Sequence, residues 1–370
     1  GAESCCVRVR QDCTRIEGLI CRKAGTGIRI HPETCRNAVL EQNTLTANTV
    51  AGVAIGADPG SEGHDTYTLR NNLCHNNPTG IDVQGGDGFH LAYATLENNT
   101  IVVYNGNGVV CGGRAGGMTL RNNIISVKGD GACLAITQAG AIGSSDFNNL
   151  HAYGEGRIAQ QLEENTLHLF STLSAWRAAS GFDYASLNRD PLFVQPETGN
   201  FHLSSREGSW RKTGWAADPV TSPCLDAGDP SSPIGGEPAP NGNRVNLGAF
   251  GGTPEASLSE PGRTLTLLAP LGGESWSGDG VTVAWNGTGA GWSAEDTVRL
   301  EWAVAGTGSY TFWETLPDAS ALAPQGRYVW HPPANGTASY LLRVVCNADA
   351  AVSAMTAQAG TVVRQPRTYY

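Results

Sequence analysis

The chain has 370 residues, a formal net charge of −10, 48 glycines and only 16% charged residues. That length accommodates two domains with real cores, and the glycine-rich, charge-poor composition suits a turn-rich β protein better than a helical one. The acidic balance argues against nucleic acid or an anionic membrane as partner, and no apolar run approaches the length of a membrane span.

Gly1 leads straight into "AESCCVRVR", mid-pattern and without a visible signal peptide. This points to a processed or engineered start; catalytic residues carried on a missing N-terminal part would be missing with it. From residue 27 onward two motifs recur on one beat. Leu-x-x-Asn occurs at Leu40–Asn43, Leu69–Asn72, Leu96–Asn99 and Leu120–Asn123, with a degenerate copy expected to end at Asn149 in "DFNNL". Gly-apolar-x-apolar occurs at Gly27, Gly52, Gly80 and Gly108. Short β segments on a period of this length predict a solenoid in which each turn buries its apolar face on its neighbours. The fold class expected is therefore all-β, a right-handed parallel β-helix over 1–190, with successive turns about 4.8 Å apart.

Stacking gives the asparagines a role, since an amide donor meets an amide acceptor directly above it, and Asn tolerates the left-handed backbone of a sharp turn. In the same register Glu41, Arg70, Glu97 and Arg121 form an outward column of alternating charge. Cys111 falls in the inward place of Ile30, Ile55 and Val83, and Cys74 in an apolar run. The ten cysteines are accordingly expected to be mainly buried free thiols, with Cys5, Cys6 and Cys13 as exceptions; no CxxC pair suggests zinc.

Loops after residues 55, 83 and 111 are expected to border a groove on the face carrying Arg29 and Asp82. Asp82 and Asp87 are the candidate carboxylate pair for hydrolysis. Lys128 is the candidate base for removing the proton alpha to a uronate carboxyl. Arg29, His90 and Arg114 are candidate substrate contacts. Asp58, Glu62 and Asp65, beside His64, offer hard oxygen ligands for calcium, against the alternative of a solvated acidic turn.

After residue 149 the repeat fades, and Ser171–Gly181 reads as a short capped helix. The phrases "DPLF" (190–193), "FHL" (201–203), "SPCLDAGDP" (222–230) and "RVNLGAF" (244–250) follow. They resemble the end of right-handed β-helix proteins with a choice-of-anchor Q type C-terminal region, from which they depart at Cys224, where alanine is usual. The resemblance implies a post-helix region over 191–256 and an extracellular or cell-surface bacterial protein, often near polysaccharide, without implying one reaction.

Residues 257–263 have linker composition. Beyond them about seven alternating runs over 264–370 predict an immunoglobulin-like sandwich. The phrase "LAPLGGESWSGDGVTVAW", with "YVWHPP" and "YLLRVV", resembles the Ig-like module of the Ser-Thr-rich glycoprotein-anchor type. Six tryptophans lie here; five fall in or beside strand patterns, and Trp292, in a loop, is the candidate for stacking on a sugar ring.

The expected function is engagement of polysaccharide by a secreted or cell-surface protein, expected to be monomeric. The alternatives are a polysaccharide lyase or glycoside hydrolase working in the groove, and a non-catalytic adhesin or spacer.

Overall fold

The computed structural model describes residues 4–31, 35, 37–56, 63–84, 90–112, 117–276, 280–306, 312–333 and 338–363. The chain divides into two units, Gly1–Ala239 with Arg244–Leu258, and Pro240–Asn243 with Ser259–Tyr370. The first unit is a β-solenoid of about five turns. Among the described residues its first sheet stacks Cys5–Val9, Thr26–Ile30, Ala51–Ile55, Thr79–Gln84, Asn107–Gly112, Gly131–Ile136 and Gly156–Glu163, and ends on the antiparallel strand Thr166–Phe170. The second sheet runs from Thr14–Glu17 to Ile142–Asp146, and the third from Ile20–Arg22 to Asn149–Tyr153. Both contain only parallel pairs.

The two residues of each Asn-Asn pair, and of Gln42-Asn43 before them, do different work. The second lies inside and builds a ladder: Asn43, Asn72, Asn99 and Asn123 each donate from Nδ2 to the Oδ1 of the next, ending on Asn148, at 3.0 Å per step. Each acceptor oxygen also takes the backbone N–H of the preceding ladder member, so these buried amides are fully used. The last member is Asn148 rather than Asn149. Phe147, not an asparagine, takes the left-handed place there (φ 55°), which shifts the pair by one residue, and Asn149 opens the next strand. A second, shorter ladder joins Asn48 to Asn77 at 3.1 Å.

The first asparagine of each pair, Asn71, Asn98 or Asn122, has positive φ and faces out, where it holds the returning chain. Asn71 Nδ2 donates to the carbonyls of Ala249 (3.0 Å) and Gly251 (2.8 Å), and Asn98 Nδ2 to that of Asn246 (2.9 Å). Asn122 Oδ1 accepts the Asp229 N–H at 2.7 Å. Two of the terminal phrases meet each other: the buried Arg244 guanidinium donates to the carbonyls of Gly228 and Ala227 and lies over the Phe147 ring. Burial pushes this guanidinium down to about 10.

The inward row Ile30, Ile55, Val83 and Cys111 is in register, and Cys74, Cys111 and Cys133 are fully buried. The outward column pairs Arg70 with Glu41 at 2.8 Å and Arg121 with Glu97 at 3.1 Å, the arginines partly exposed and Glu41 buried. Helix Leu173–Ser180 starts on the Thr172 cap and stops at left-handed Gly181.

In the second unit an antiparallel sheet of Thr264–Ala269, Val281–Thr288 and Gly326–Trp330 shares a core with a sheet that includes Val298–Val304, Ser339–Cys346 and Gly360–Val362. Trp276, Trp285, Trp292 and Trp330 all belong to that core. Among the described residues no helix is long and apolar enough to cross a membrane.

Candidate functional site

The outer face of the third sheet is divided in two. Its Leu73 and Val102 are buried under Phe201 and Ala249 of the returning chain, and Ala249 N–H donates to Thr100 Oγ1 at 2.9 Å. Beyond that cover the strand ends carry Tyr104, Lys128 and Tyr153, in register on three successive turns. Tyr104 is 50% exposed, Lys128 is exposed, and Lys128 Nζ lies over the Tyr153 ring, 5.5 Å from its centroid. Tyr153 is stacked on His151 (centroids 4.7 Å apart, 10° between planes), whose Nδ1 is 3.1 Å from Ser126 Oγ. The row is thus buttressed from beneath.

The electrostatics follow from burial. His151 is held below the ordinary imidazole range by burial, against a weaker pull from Asp190, so it is neutral at neutral pH. The Tyr153 hydroxyl is raised, first by burial and then by Tyr104 and Asp190, and stays protonated. The row therefore presents two phenol side chains on either side of one lysine. An open cleft of about 360 Å³ adjoins Tyr104, lined also by Ala47, Asn76, Pro78 and Asn105. Here left-handed Ala47, Asn76 and Asn105 turn the chain at successive levels.

The predicted site residues fall in different places. Arg29 and Asp82 share the outer face of the first sheet, separated by the turn carrying Ala54. Burial raises the Asp82 carboxyl, while Gln84, at 2.7 Å, and Arg29 pull it back down. Lys128 is on the third sheet, so it is not brought together with Asp82. Asp58, Glu62, Asp87 and Arg114, and the side chains of Asp65 and His90, lie outside the described part of the structure. Trp292 is a correction: it is 9% exposed, belongs to the core of the second unit, and donates from Nε1 to the Thr288 carbonyl at 3.0 Å. The loop folds back over its own sheet, so neither face of the ring is open to a sugar.

Tyr104 and Tyr153 were not among the sequence candidates. Read as strand residues they are ordinary, but their distances from Lys128 along the chain match the repeat, which is the signal that finds them.

Residues 9–165 match a family model described as periplasmic copper-binding protein (NosD), and residues 117–228 one described as disaggregatase related. No curated protein and no solved structure matches the chain. Among the described residues no three His, Cys, Asp or Glu side chains converge on a point that could hold a metal ion. Cys74, Cys111 and Cys224 are pushed up to about 12 by burial, which keeps them as thiols rather than metal-binding thiolates. The described residues thus do not fit a copper centre of three or more protein ligands. What the chain has in common with both families is their architecture, for both are parallel β-helix families and this chain is a β-solenoid.

Proposed function

We propose that this chain is a secreted or cell-surface bacterial β-helix protein that engages polysaccharide along the row Tyr104, Lys128, Tyr153. The observation that carries the reading is that in-register row, left open beside a cleft while Leu73 and Val102 of the same sheet are covered by the returning chain. Phenol rings offer apolar faces and hydroxyls to sugars, and the central ammonium favours a carboxylated chain. The acidic whole does not oppose this, because a local cation inside a Debye length dominates. The meeting of Arg244 with residues 227–228 supports a choice-of-anchor Q type region over 191–256, and two sheets around buried tryptophans support an Ig-like module over 264–370, after a linker at 257–263. The family described as periplasmic supports a location outside the cytoplasm.

The test is titration of the full chain with polygalacturonate, alginate and a neutral glucan, with and without calcium. Binding of the uronate polymers is expected, weakened by salt, with Lys128→Ala and Tyr104→Ala each reducing affinity roughly three- to tenfold. Binding unchanged in both variants, or none to any polymer, refutes it. New absorbance near 235 nm, lost in Lys128→Ala, would instead make the row the site of a lyase.

A further inference from the structure

Across one corner of the solenoid a position on the first sheet faces a position on the third, and on successive turns the pair is small against large. A Cβ added to Gly27 would lie 2.9 Å from Leu45 Cδ2, and one added to Gly52 would lie 3.2 Å from Cys74 Sγ. On Gly80 and Gly108 it would collide with Ile101 and Ile125. Glycine is needed at these places because the opposite side chain already fills the gap.

The first turn breaks the rule. Cys5 is in register with Thr26 and Val7 with Ile28, which puts Cys6 at the level of Gly27. Cys21 is in register with Leu45. Two cysteines therefore stand where the turns above have glycine opposite Leu45, Cys74, Ile101 or Ile125. The Cys6 thiol points to the carbonyl of Arg22, 3.6 Å away, and Arg22 is the residue next to Cys21 in the same strand. Cys74, by contrast, faces Gly52 and meets no second sulfur there.

We propose that Cys6 and Cys21 form a disulfide that staples the first turn. Cys6 is the exposed member and Cys21 is 3% exposed, which sets the order of events. The Cys6 thiolate attacks a soluble disulfide, such as oxidised glutathione, forming a mixed disulfide and releasing one thiolate. Cys21 then loses its proton and attacks Cys6 Sγ, and the second glutathione thiolate leaves. Two protons and two electrons have passed from the protein to the oxidant, which is reduced to two thiols. Burial pushes the Cys21 thiol up to about 11, so the second step accelerates with pH.

The experiment treats the full chain with oxidised glutathione, alkylates it, and maps peptides without reduction. A Cys6–Cys21 crosslink is expected, absent from Cys6→Ser and Cys21→Ser, kept in Cys5→Ser and Cys13→Ser, and formed faster at pH 9 than at pH 7. Hydrogen exchange of 5–9 and 20–22 is expected to slow roughly 30-fold or more on oxidation. Alkylation of both residues, a glutathione adduct that stays on Cys6, a link through Cys5 or Cys13, or exchange unchanged by oxidation would each overturn the proposal.

Discussion

Replacing Asn99 by alanine removes the central step of the ladder. Asn99 Oδ1 accepts from the backbone N–H and Nδ2 of Asn72, both at 3.0 Å, and Asn99 Nδ2 donates to the Leu69 carbonyl at 2.8 Å and to Asn123 Oδ1 at 3.0 Å. Not all of these losses count equally. Asn72 Nδ2 keeps the Leu40 carbonyl, and Asn123 Oδ1 keeps the backbone N–H of residue 99. The Asn72 backbone N–H and the Leu69 carbonyl lose a buried partner, at about 1–3 kcal/mol each, and a cavity is left behind. The expected loss is about 3–5 kcal/mol, a large part of the 5–15 kcal/mol by which domains are typically stable. Asn43→Ala is the internal control: it loses comparable bonds, but Leu19 beside it is 40% exposed, so water replaces some of them and about 1–2 kcal/mol is expected. Hydrogen exchange of 63–70, 90–97 and 118–121 measures this unit without interference from the second. It should accelerate at least 100-fold in Asn99→Ala. A change below about 1 kcal/mol, or an equal effect in Asn43→Ala, would refute the ladder as a source of stability.

Gly80→Ala should cost about 1–3 kcal/mol, because its Cβ would lie 2.6 Å from the Gly108 carbonyl oxygen as well as against Ile101; thermal denaturation indistinguishable from wild type would show that the corner has slack. Trp292→Ala should destabilise the second unit by about 3–5 kcal/mol, read by its own denaturation transition, and a neutral result would mean that the ring does not belong to the core. The buried Glu237 carboxyl accepts the N–H groups of Asn246 (2.7 Å) and Gly252 (2.8 Å), yet burial outweighs them and raises it to about 8. Since its folded value lies above the unfolded one, its contribution is fully present below about pH 4.5 and is lost as pH rises through about 8. The difference in stability between wild type and Glu237→Gln should therefore fall over that window, by several kcal/mol, on the order of 4; a flat difference would contradict a raised carboxyl.

The stacked turns were readable in the sequence because every level repeats the same two constraints, an asparagine that must bond upward and a glycine that must make room. The first asparagine of each pair was readable as a turn residue but not as a clamp, since its partners in 229–251 lie roughly 110–180 positions along the chain and no local pattern announces them. Phe147 defeated the register at the last level because a bulky residue was not expected at positive φ. Trp292 looked like a loop residue because alternation reports strands and is silent on a loop that folds back over its own sheet. Lys128 stood out by its charge, whereas Tyr104 and Tyr153 read as β-strand formers until the pairing of turns set them on either side of it.

The outward asparagines also determine where this array can change length. The returning chain grips Asn71, Asn98 and Asn122 at three consecutive levels with contacts cut to their spacing. Inserting or deleting a whole turn between residues 71 and 122 would put those grips out of step even if the new turn stacked perfectly. Among the described residues before 71 no asparagine side chain grips the returning chain in this way, so copies of the repeat can be gained or lost there at the expense of one more stacked layer. The family to which such a chain gives rise should vary in length at its N-terminal side and hold constant the interval that its own tail measures.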